Sequence, residues 1–346
     1  MKEKKWLCRT ILYLTGCLAA FAAIMIVVDP YFHFHGPIKG MSYRLYEERY
    51  INNGIARHFE YDAIITGTSM TQNFKTSEFN ELFESNAVKL PFSGGSYREI
   101  SQNLQYAFSY NPQIEKVLWG LDGEFLIQES DYQRYEDFPT YLYDDFIWND
   151  VYYVLNKSSM YHGSLNNIVM TLKGEPPTTF DEYSAWEGVT GYEAVMGTYV
   201  QKEAAKEDTG LSEEEKQLVE ENIADNICSV VEENPNTTFY FFFTPYSIVR
   251  WNSWYDEGRV SAQVEAEAIA AEMLLGYPNV ELYCFYENTD LINNLDYYKD
   301  SIHYDAGISS RILQWIQKGE YRLTEANREA HTKWEKETYL EYSYGE

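Results

Sequence analysis

Two short motifs, far apart in the chain, could together perform nucleophilic chemistry. Ser69 ends the tripeptide Gly67-Thr68-Ser69, and Asp300 and His303 lie far downstream in Asp300-Ser301-Ile302-His303. A serine hydroxyl is a weak nucleophile until a neighbouring base takes its proton, and histidine is a better base when a carboxylate fixes its tautomer. The pattern therefore predicts a catalytic triad of Ser69, His303 and Asp300, provided that folding brings the two motifs together.

A buried strand is predicted directly before Ser69. Residues 61–66 are mostly apolar, and Gly67 permits a sharp turn that would leave the Ser69 hydroxyl at the carboxyl end of the strand. Open α/β sheets bind their ligands beyond the carboxyl ends of the strands. A serine at this position would therefore be within reach of a substrate.

Either motif alone has an ordinary structural explanation. Gly-x-Ser is common in turns, and an aspartate followed three residues later by a histidine is typical of a capped helix start. The order of the motifs favours chemistry, because one follows the first predicted strand and the other precedes the last predicted core helix. The remaining five histidines lack such a setting and are expected to be structural: His33, His35, His58, His162 and His331.

The two motifs resemble those of the SGNH/GDSL hydrolase family. In that family a serine follows the first strand and an aspartate lies three residues before the catalytic histidine, as Ser69, Asp300 and His303 do here. The resemblance implies a three-layer α/β/α, flavodoxin-like fold with about five mostly parallel strands. The sequence is also similar to a membrane-anchored branch that includes the D-alanine transfer protein of the teichoic-acid pathway and proteins that acylate exported polysaccharides.

The resemblance also implies an oxyanion hole. One donor would be the backbone N–H of Ser69, and a second would come from residues 90–95, where Gly94 is the expected donor and Gly95 the alternative. The third family block looks like residues 118–123, but Asp122 stands where the family has asparagine. Thr68 also departs from the family, which usually has aspartate at that position.

The departure at Asp122 has a physical cost. An ionised carboxylate cannot donate a hydrogen bond, and the loss of one oxyanion donor costs about 2.7–4 kcal/mol in comparable enzymes. Burial could raise the pKa of Asp122 and keep its carboxyl group neutral. Alternatively, the backbone donors at Ser69 and Gly94 suffice, or the chain is no longer a competent hydrolase. The sequence leaves these three explanations open.

Strand and helix patterns alternate through the rest of the chain. Further strands are predicted at 87–92, 116–122, 237–244 and 280–284, and helices at about 96–110, 212–233, 258–275, 305–317 and 324–339, the last as a charged surface helix. Continuous apolar strands, such as the one at 237–244, are typical of a parallel sheet covered on both faces. The alternation predicts a doubly wound, three-layer α/β domain.

The N-terminus resembles a membrane anchor. Residues 11–28 are nearly all apolar, a length close to that needed to cross a bilayer, and Lys2, Lys4, Lys5 and Arg9 precede them. The positive-inside rule then leaves the N-terminus in the cytoplasm and the rest of the chain outside. Cleavage after Ala20-Phe21-Ala22, or lipidation at Cys17, would also export the domain. The continued apolar run favours an uncleaved helix.

Composition excludes several classes of function. The chain has 346 residues, with 27 Lys and Arg against 54 Asp and Glu, and a formal charge of −27 that would repel nucleic-acid phosphates. A neutral or zwitterionic glycan is easier to accept as a substrate than a bare polyphosphate, although a local basic patch could override the net charge. The common zinc and nucleotide-phosphate motifs do not occur, so no cofactor or metal is implied. Of four cysteines, Cys8 and Cys17 lie at or within the membrane segment, and Cys228 and Cys284 are expected to be buried thiols.

The predicted organisation has five parts. These are a cytoplasmic basic tail at 1–10, a transmembrane anchor at 11–28, an irregular lead-in at 29–60, an α/β domain at 61–320 with an insertion at 128–211, and a C-terminal surface helix and tail at 321–346. Helices are expected in the insertion at about 143–156 and 158–172. The insertion is rich in aromatic and acidic residues, among them Tyr135, Trp148 and Trp186, and could form a glycan-binding lid.

Together these patterns predict a membrane-anchored, extracytoplasmic serine esterase or acyltransferase that acts on O-acyl esters of a cell-envelope or exported glycan. The alternative is a catalytically degenerate accessory protein that binds glycan or docks on a membrane-bound acyltransferase, which Thr68 and Asp122 favour. A third hypothesis is an adhesion or structural module. The acyl group, the polymer and the choice between hydrolysis and transfer are left open.

Overall fold

The computed structural model describes residues 2–135, 138–200, 202, 205 and 207–341. The chain forms two compact units, one of Met1–Phe59 with Asp137–Thr179 and one of Glu60–Glu136 with Phe180–Glu346. The α-helices in chain order are α1 Lys2–Val28, α2 Glu48–His58, α3 Thr76–Phe83, α4 Tyr97–Tyr110, α5 Val151–Val154, α6 Asn166–Lys173, α7 Tyr192–Thr198, α8 Glu213–Ile223, α9 Ser229–Glu233, α10 Ile248–Glu257, α11 Val260–Leu275, α12 Thr289–Asn293, α13 Ala306–Lys318 and α14 Arg328–Glu341.

One mixed sheet organises the larger unit. Its strands are β1 Ala63–Gly67, β2 Ala87–Pro91, β3 Lys116–Leu121, β4 Thr238–Phe243, β5 Val280–Cys284 and β6 Arg322–Leu323, in the order β2-β1-β3-β4-β5-β6. The first five strands are parallel, and β6 is antiparallel to β5. The five predicted strands are confirmed to within two residues at each end. The mixed α/β fold class is confirmed, with a sixth strand added.

Burial on both faces explains the sequence of the strands. Every residue of β1 and β2 is buried, and so are the side chains from Val117 to Leu121 in β3. Strands enclosed in this way read as continuous apolar runs, which is why they are recognisable in the sequence. The strand order reverses direction between β2 and β3, and right-handed crossovers then require α3 and α4 to cover opposite faces.

The helices fall into two groups that agree with this topology. On one side α3 contacts both β2 and α13. On the other, α4 and α11 both contact a π-helical turn at Ala224–Cys228, which joins α8 to α9, and α11 also contacts β5. Helix α8 begins with a capping box of Ser212 and Glu215, and α4 begins with a second one, in which Ser96 and Glu99 cap each other's backbone.

Several elements of the larger unit differ from the sequence prediction. Helix α10 precedes α11 as a separate helix that the prediction missed, and Gly258 ends it with a φ of +66°. The charged helix α14 is not merely a surface element, because His331, Glu335 and Tyr339 are buried and α14 contacts α11. The predicted C-terminal tail at 342–346 lies outside the described residues.

In the smaller unit, α1 carries the apolar N-terminal segment. The most apolar 18-residue stretch within Lys4–Val28 has a mean hydropathy of 2.5, and the helix is long and apolar enough to cross a membrane. Its carboxyl end meets a tightly bonded loop, where buried Asp29 accepts hydrogen bonds from the backbone of Phe34 at 2.7 Å and from the Tyr153 hydroxyl at 2.7 Å. The Tyr153 hydroxyl is therefore occupied by a structural contact.

Two predictions for the smaller unit are wrong in detail. The lead-in is not wholly irregular, because it contains α2. The helix expected at 143–156 is reduced to the four residues of α5, since Asp144 accepts hydrogen bonds from the Phe146 backbone at 2.9 Å and the Asn149 side chain at 2.8 Å and so favours a turn. The helix expected at 158–172 is confirmed as a π-helical turn, Ser159–Leu165, followed by α6.

The cysteines are as expected. Cys228 and Cys284 are buried free thiols in the larger unit, and Cys8 and Cys17 are exposed on α1.

Candidate active site

A continuous hydrogen-bonded chain joins the two motifs singled out in the sequence. The Ser69 hydroxyl oxygen lies 2.8 Å from Nε2 of His303, and Nδ1 of His303 lies 2.7 Å from Oδ2 of Asp300. Ser69 and His303 are 234 residues apart in the chain. The structure therefore brings all three predicted side chains together in the order nucleophile, base and orienting carboxylate.

Local backbone geometry accounts for the position of Ser69. Gly67 ends β1 with a φ of +141°, and a Cβ atom there would lie 2.7 Å from the Thr71 side chain. Only glycine adopts this conformation at low cost. The chain then turns into a short 3₁₀ helix, Ser69–Thr71, whose first residues are held by the Thr68 hydroxyl accepting from the Met70 N–H. Ser69 consequently stands beyond the carboxyl end of the strand, as predicted.

A tight loop before α13 positions the other two residues. One oxygen of Asp300 accepts the backbone N–H groups of Ile302 at 2.9 Å and His303 at 2.8 Å, and its other oxygen faces the imidazole. Burial alone would raise the pKa of Asp300, but the hydrogen bonds and charge of His303 outweigh it and lower that pKa. Helix α13 is capped by Asp305 instead, so Asp300 is not an ordinary helix cap.

The two proposed backbone oxyanion donors are available. Among the described residues, no acceptor is bound by the N–H of Ser69 or by that of Gly94. The N–H of Gly95, the alternative donor, is instead engaged with the Phe92 carbonyl at 2.8 Å. Gly94 has a φ of +59°, a left-handed conformation that favours glycine. The geometry therefore favours Gly94 over Gly95.

Asp122 is buried and acts as an acceptor. Its carboxylate accepts hydrogen bonds from the Thr68 hydroxyl at 2.9 Å, from the Tyr246 hydroxyl and from the Glu124 backbone at 3.3 Å. Burial, aided by the charge of Glu124, raises the pKa of Asp122 to about 6, although the Thr68 hydrogen bond opposes the shift. These contacts give Asp122 a role in holding two hydroxyl groups and provide no support for a donor role.

The triad opens into a cavity of about 580 Å³. Its lining residues are Ser69, Gln72, Ser93, Gly94, Asp122, Glu124, Phe125, Arg134, Tyr135, Ser184, Trp186, Ile302 and His303. The four predicted residues Ser69, Gly94, Asp122 and His303 thus face one space, and Asp300 lies behind His303. A cavity of this size accommodates a small ligand or one end of a polymer.

Trp186 is a cavity residue that the sequence only partly indicated. Its ring meets the imidazole of His303 edge-on, with ring centroids 5.2 Å apart, and the Lys299 ammonium lies 3.6 Å from its ring centroid. Trp186 and Tyr135 were both among the aromatic residues predicted for a lid, and both line the cavity. Trp148, by contrast, belongs to the smaller unit.

Arg134, Gln72 and Ser184 also line the cavity, and no sequence pattern pointed to them. Each lies outside the motifs that carry the family resemblance, so spacing alone could not identify them. For metals, the described residues contain no group of three or more His, Cys, Asp or Glu side chains placed to hold an ion.

Comparison with known proteins finds a distant structural similarity. No protein-family model matches the chain, and no curated protein sequence matches it. Among solved structures, the chain is similar to a "putative platelet activating factor" from Streptococcus pneumonia, with 13% sequence identity and a TM-score of 0.40, covering 79% of this chain and 90% of the other.

Proposed function

We propose that this protein is a membrane-anchored serine esterase or acyltransferase of the SGNH type. The observation that carries the proposal is the Ser69–His303–Asp300 chain, with donor-to-acceptor distances of 2.8 Å and 2.7 Å, at the wall of a cavity. These distances lie within the range needed for proton transfer from a nucleophile to its base. The motif resemblance to the SGNH/GDSL family supports the same hypothesis.

In the proposed reaction, the Ser69 oxygen attacks the carbonyl carbon of an ester while Nε2 of His303 takes the hydroxyl proton. The carbonyl oxygen becomes negative and is held by the N–H groups of Ser69 and Gly94. When the intermediate collapses, the ester C–O bond breaks and His303 returns the proton to the leaving alkoxide. Asp300 keeps the imidazole oriented and stabilises its positive charge. An acyl-Ser69 ester is the product of this half-reaction.

A second half-reaction returns the free enzyme. His303 takes a proton from the acceptor, which attacks the acyl carbon. The bond from that carbon to the Ser69 oxygen then breaks, and His303 gives the proton to the Ser69 oxygen, which restores the hydroxyl. Water as acceptor yields a carboxylic acid and makes the protein an esterase. A sugar hydroxyl yields a new ester and makes it an acyltransferase. We propose O-acyl esters of a cell-envelope or exported glycan as the substrates, and the aromatic Tyr135 and Trp186 are suited to stack on sugar rings.

The proposed location follows from α1. Its apolar length suits a membrane span, and the basic residues at its amino end favour a cytoplasmic N-terminus with the larger unit outside. Protease protection in sealed right-side-out vesicles would test this orientation, since an extracytoplasmic domain is digested without detergent.

A non-catalytic accessory protein is the second candidate. The observation in its favour is Asp122, whose carboxylate faces the cavity where the related family has an amide donor. Such a protein would bind a glycan, or dock on a membrane-bound acyltransferase, without forming an acyl-serine. The reactivity of Ser69 separates the two proposals.

Labelling with a fluorophosphonate probe tests the catalytic proposal. The full-length protein in detergent micelles is expected to react at Ser69, and Ser69→Ala is expected to abolish labelling. Ser184→Ala is the matched control, because Ser184 lines the same cavity outside the triad. An unlabelled wild-type protein with a cooperative thermal unfolding transition would reject the catalytic proposal and favour the accessory one.

A further inference from the structure

Arg134 places a positive charge in the candidate active site, and no carboxylate of the described residues pairs with it. We propose that its guanidinium group forms an anion-binding subsite next to Ser69, so that the preferred esters carry a carboxylate or phosphate near the acyl group. This inference rests on the proposed function for its substrate class, but the binding of an anion does not require catalysis.

The location of Arg134 comes from its approach to Gly94. A Cβ atom built on Gly94 would lie 2.9 Å from Nη1 of Arg134, 3.2 Å from its Cζ and 3.3 Å from the Tyr135 hydroxyl. The guanidinium therefore lies against the residue whose N–H is the proposed second oxyanion donor. Both residues line the cavity that contains Ser69 and His303. An anion held by Arg134 would thus belong to the same molecule as the reacting ester.

The other charged groups of the cavity wall already have partners. Glu124 pairs with Arg250 at 3.0 Å, Asp122 accepts from the Thr68 and Tyr246 hydroxyls, and His303 is paired with Asp300. Within the described part of the chain, Arg134 has no carboxylate within 4.0 Å, and besides its approach to Gly94 its guanidinium lies 5.9 Å from the centroid of the Tyr135 ring. Arg134 is therefore the charge left for a ligand.

The lack of a carboxylate partner for Arg134 among the described residues is notable because the chain is strongly acidic. In a chain with 54 acidic and 27 basic residues, an arginine has many carboxylates available to pair with. The same excess of acid repels anionic ligands at long range. A planar guanidinium binds carboxylates and phosphates through two parallel hydrogen bonds and supplies the local attraction that such a ligand would need.

The segment before Arg134 is anchored to the larger unit. The Ser96 hydroxyl donates to the Tyr132 carbonyl at 2.8 Å, the Arg98 guanidinium donates to the Asp131 carbonyl, and the Asn226 amide donates to the Ser130 carbonyl at 2.9 Å. Three successive carbonyl groups are thus fixed, two of them by the first turn of α4. Arg134 lies two residues after Tyr132, the last residue whose carbonyl group is fixed. This short separation limits how far Arg134 can move from the cavity.

Paired ester substrates test the subsite. The full-length protein would be assayed with 4-acetoxybenzoate, 4-acetoxyphenyl phosphate and the neutral methyl 4-acetoxybenzoate. We expect Arg134→Gln to lower the ratio of kcat/KM for each anionic ester over the neutral one by at least about tenfold, and Arg134→Lys to lower it less. The intrinsic reactivity of each ester cancels, because the ratio is compared between variants. A fall confined to one anionic ester would identify whether carboxylate or phosphate is bound.

Lys318→Gln is the control for net charge, because Lys318 is an exposed cation at the end of α13, outside the cavity lining. It is expected to leave the ratio unchanged. An unchanged ratio in Arg134→Gln would overturn the subsite, and so would an equal loss for all three esters, since that loss would indicate a role at the oxyanion or in folding.

Calorimetry with the Ser69→Ala variant separates failure of the subsite from failure of the proposed function. The product 4-hydroxybenzoate is expected to bind this variant, and the double variant with Arg134→Gln is expected to bind it at least about tenfold more weakly. Arg134-dependent binding without turnover of any ester would retain the subsite and reject the esterase. Turnover without Arg134-dependent binding or selectivity would retain the esterase and reject the subsite.

Discussion

Two carboxylates near Ser69 have opposite environments, and their pKa values shift in opposite directions. Asp300 is hydrogen-bonded to His303 and to two backbone N–H groups, which lower its pKa despite its partial burial. Asp122 is buried beside Glu124, which raises its pKa to about 6. Neighbouring carboxylates with divergent pKa values are typical of functional sites, because one stays ionised while the other can change its protonation state.

Asp122→Asn is expected to change how stability depends on pH. A carboxyl group whose pKa is raised on folding, from 3.8 to about 6, stabilises the folded state fully below pH 3.8 and loses that contribution as pH rises to 6. Over this window the free energy of unfolding of the wild type should therefore fall relative to the variant by about 1.4 kcal/mol per pH unit. Urea unfolding at several pH values measures the difference.

Parallel stability curves for the wild type and Asp122→Asn would contradict the raised pKa of Asp122. Asp296→Asn is a suitable control, because Asp296 is exposed and lies outside the cavity lining. If the variant also hydrolyses esters faster above pH 6, the asparagine amide has supplied the oxyanion donor that the motif resemblance to the SGNH/GDSL family implies at this position.

At the scale of elements, the five long strands were predictable from the sequence. The short strand β6 and the buried hydrogen bonds that hold the turn near Ser69 were not. Strands β1 to β5 are short, mostly apolar runs bounded by polar or turn residues, and such runs are typical of buried strands. Strand β6 has only two residues, which is too short for any pattern. Lys89 in β2 is fully buried, and its ammonium donates to the carbonyls of Gln72 and Phe74, directly after the Ser69 turn. A lysine in an apolar strand gave no sign of this role.

The contact between α11 and α14 contains a pair of buried glutamates. Glu267 and Glu335 are both buried, and burial raises the pKa of each, that of Glu267 from 4.5 to about 7. Their mutual hydrogen bond requires one proton, since two adjacent carboxylates cannot both be ionised cheaply. The packing of α14 therefore depends on a proton that is lost at alkaline pH.

Glu267→Gln is expected to stabilise the protein at pH 8 relative to the wild type. The raised pKa of Glu267 contributes stability that is complete below pH 4.5 and disappears as pH rises to about 7, and glutamine keeps a donor at all pH values. Thermal unfolding at pH 5 and pH 8 measures the change. A variant whose melting temperature falls equally at both pH values would reject the shared proton and point to lost packing.

At the scale of the whole molecule, the sequence indicated the order of segments but not their partners. The smaller unit joins residues from the N-terminal third to a segment after residue 136, and a hydrogen bond from Tyr153 to Asp29 spans 124 positions. Such contacts leave no periodic trace in a single sequence. The Ser69–His303 contact spans even more of the chain, 234 positions, yet it was predictable because its residue types have a shared chemistry.

The net charge of −27 predicts a salt effect on the activity. Long-range repulsion slows the approach of anionic esters, and added salt screens it. Raising NaCl from roughly 20 to 200 mM should therefore increase kcat/KM for 4-acetoxybenzoate by about two- to fivefold. The same change should have little effect on the neutral methyl ester. A decrease for the anionic ester would show that the local attraction of Arg134 governs association as well as binding.

The arrangement of the four thiols makes the chain well suited to chemical mapping. Cys228 and Cys284 are sealed in the larger unit, and the other two lie on α1, where a bilayer would shield them. A cysteine introduced at an exposed position such as Leu172 would thus be the principal target of a water-soluble maleimide. Its modification in intact cells, before any lysis, would report directly on which side of the envelope that surface faces.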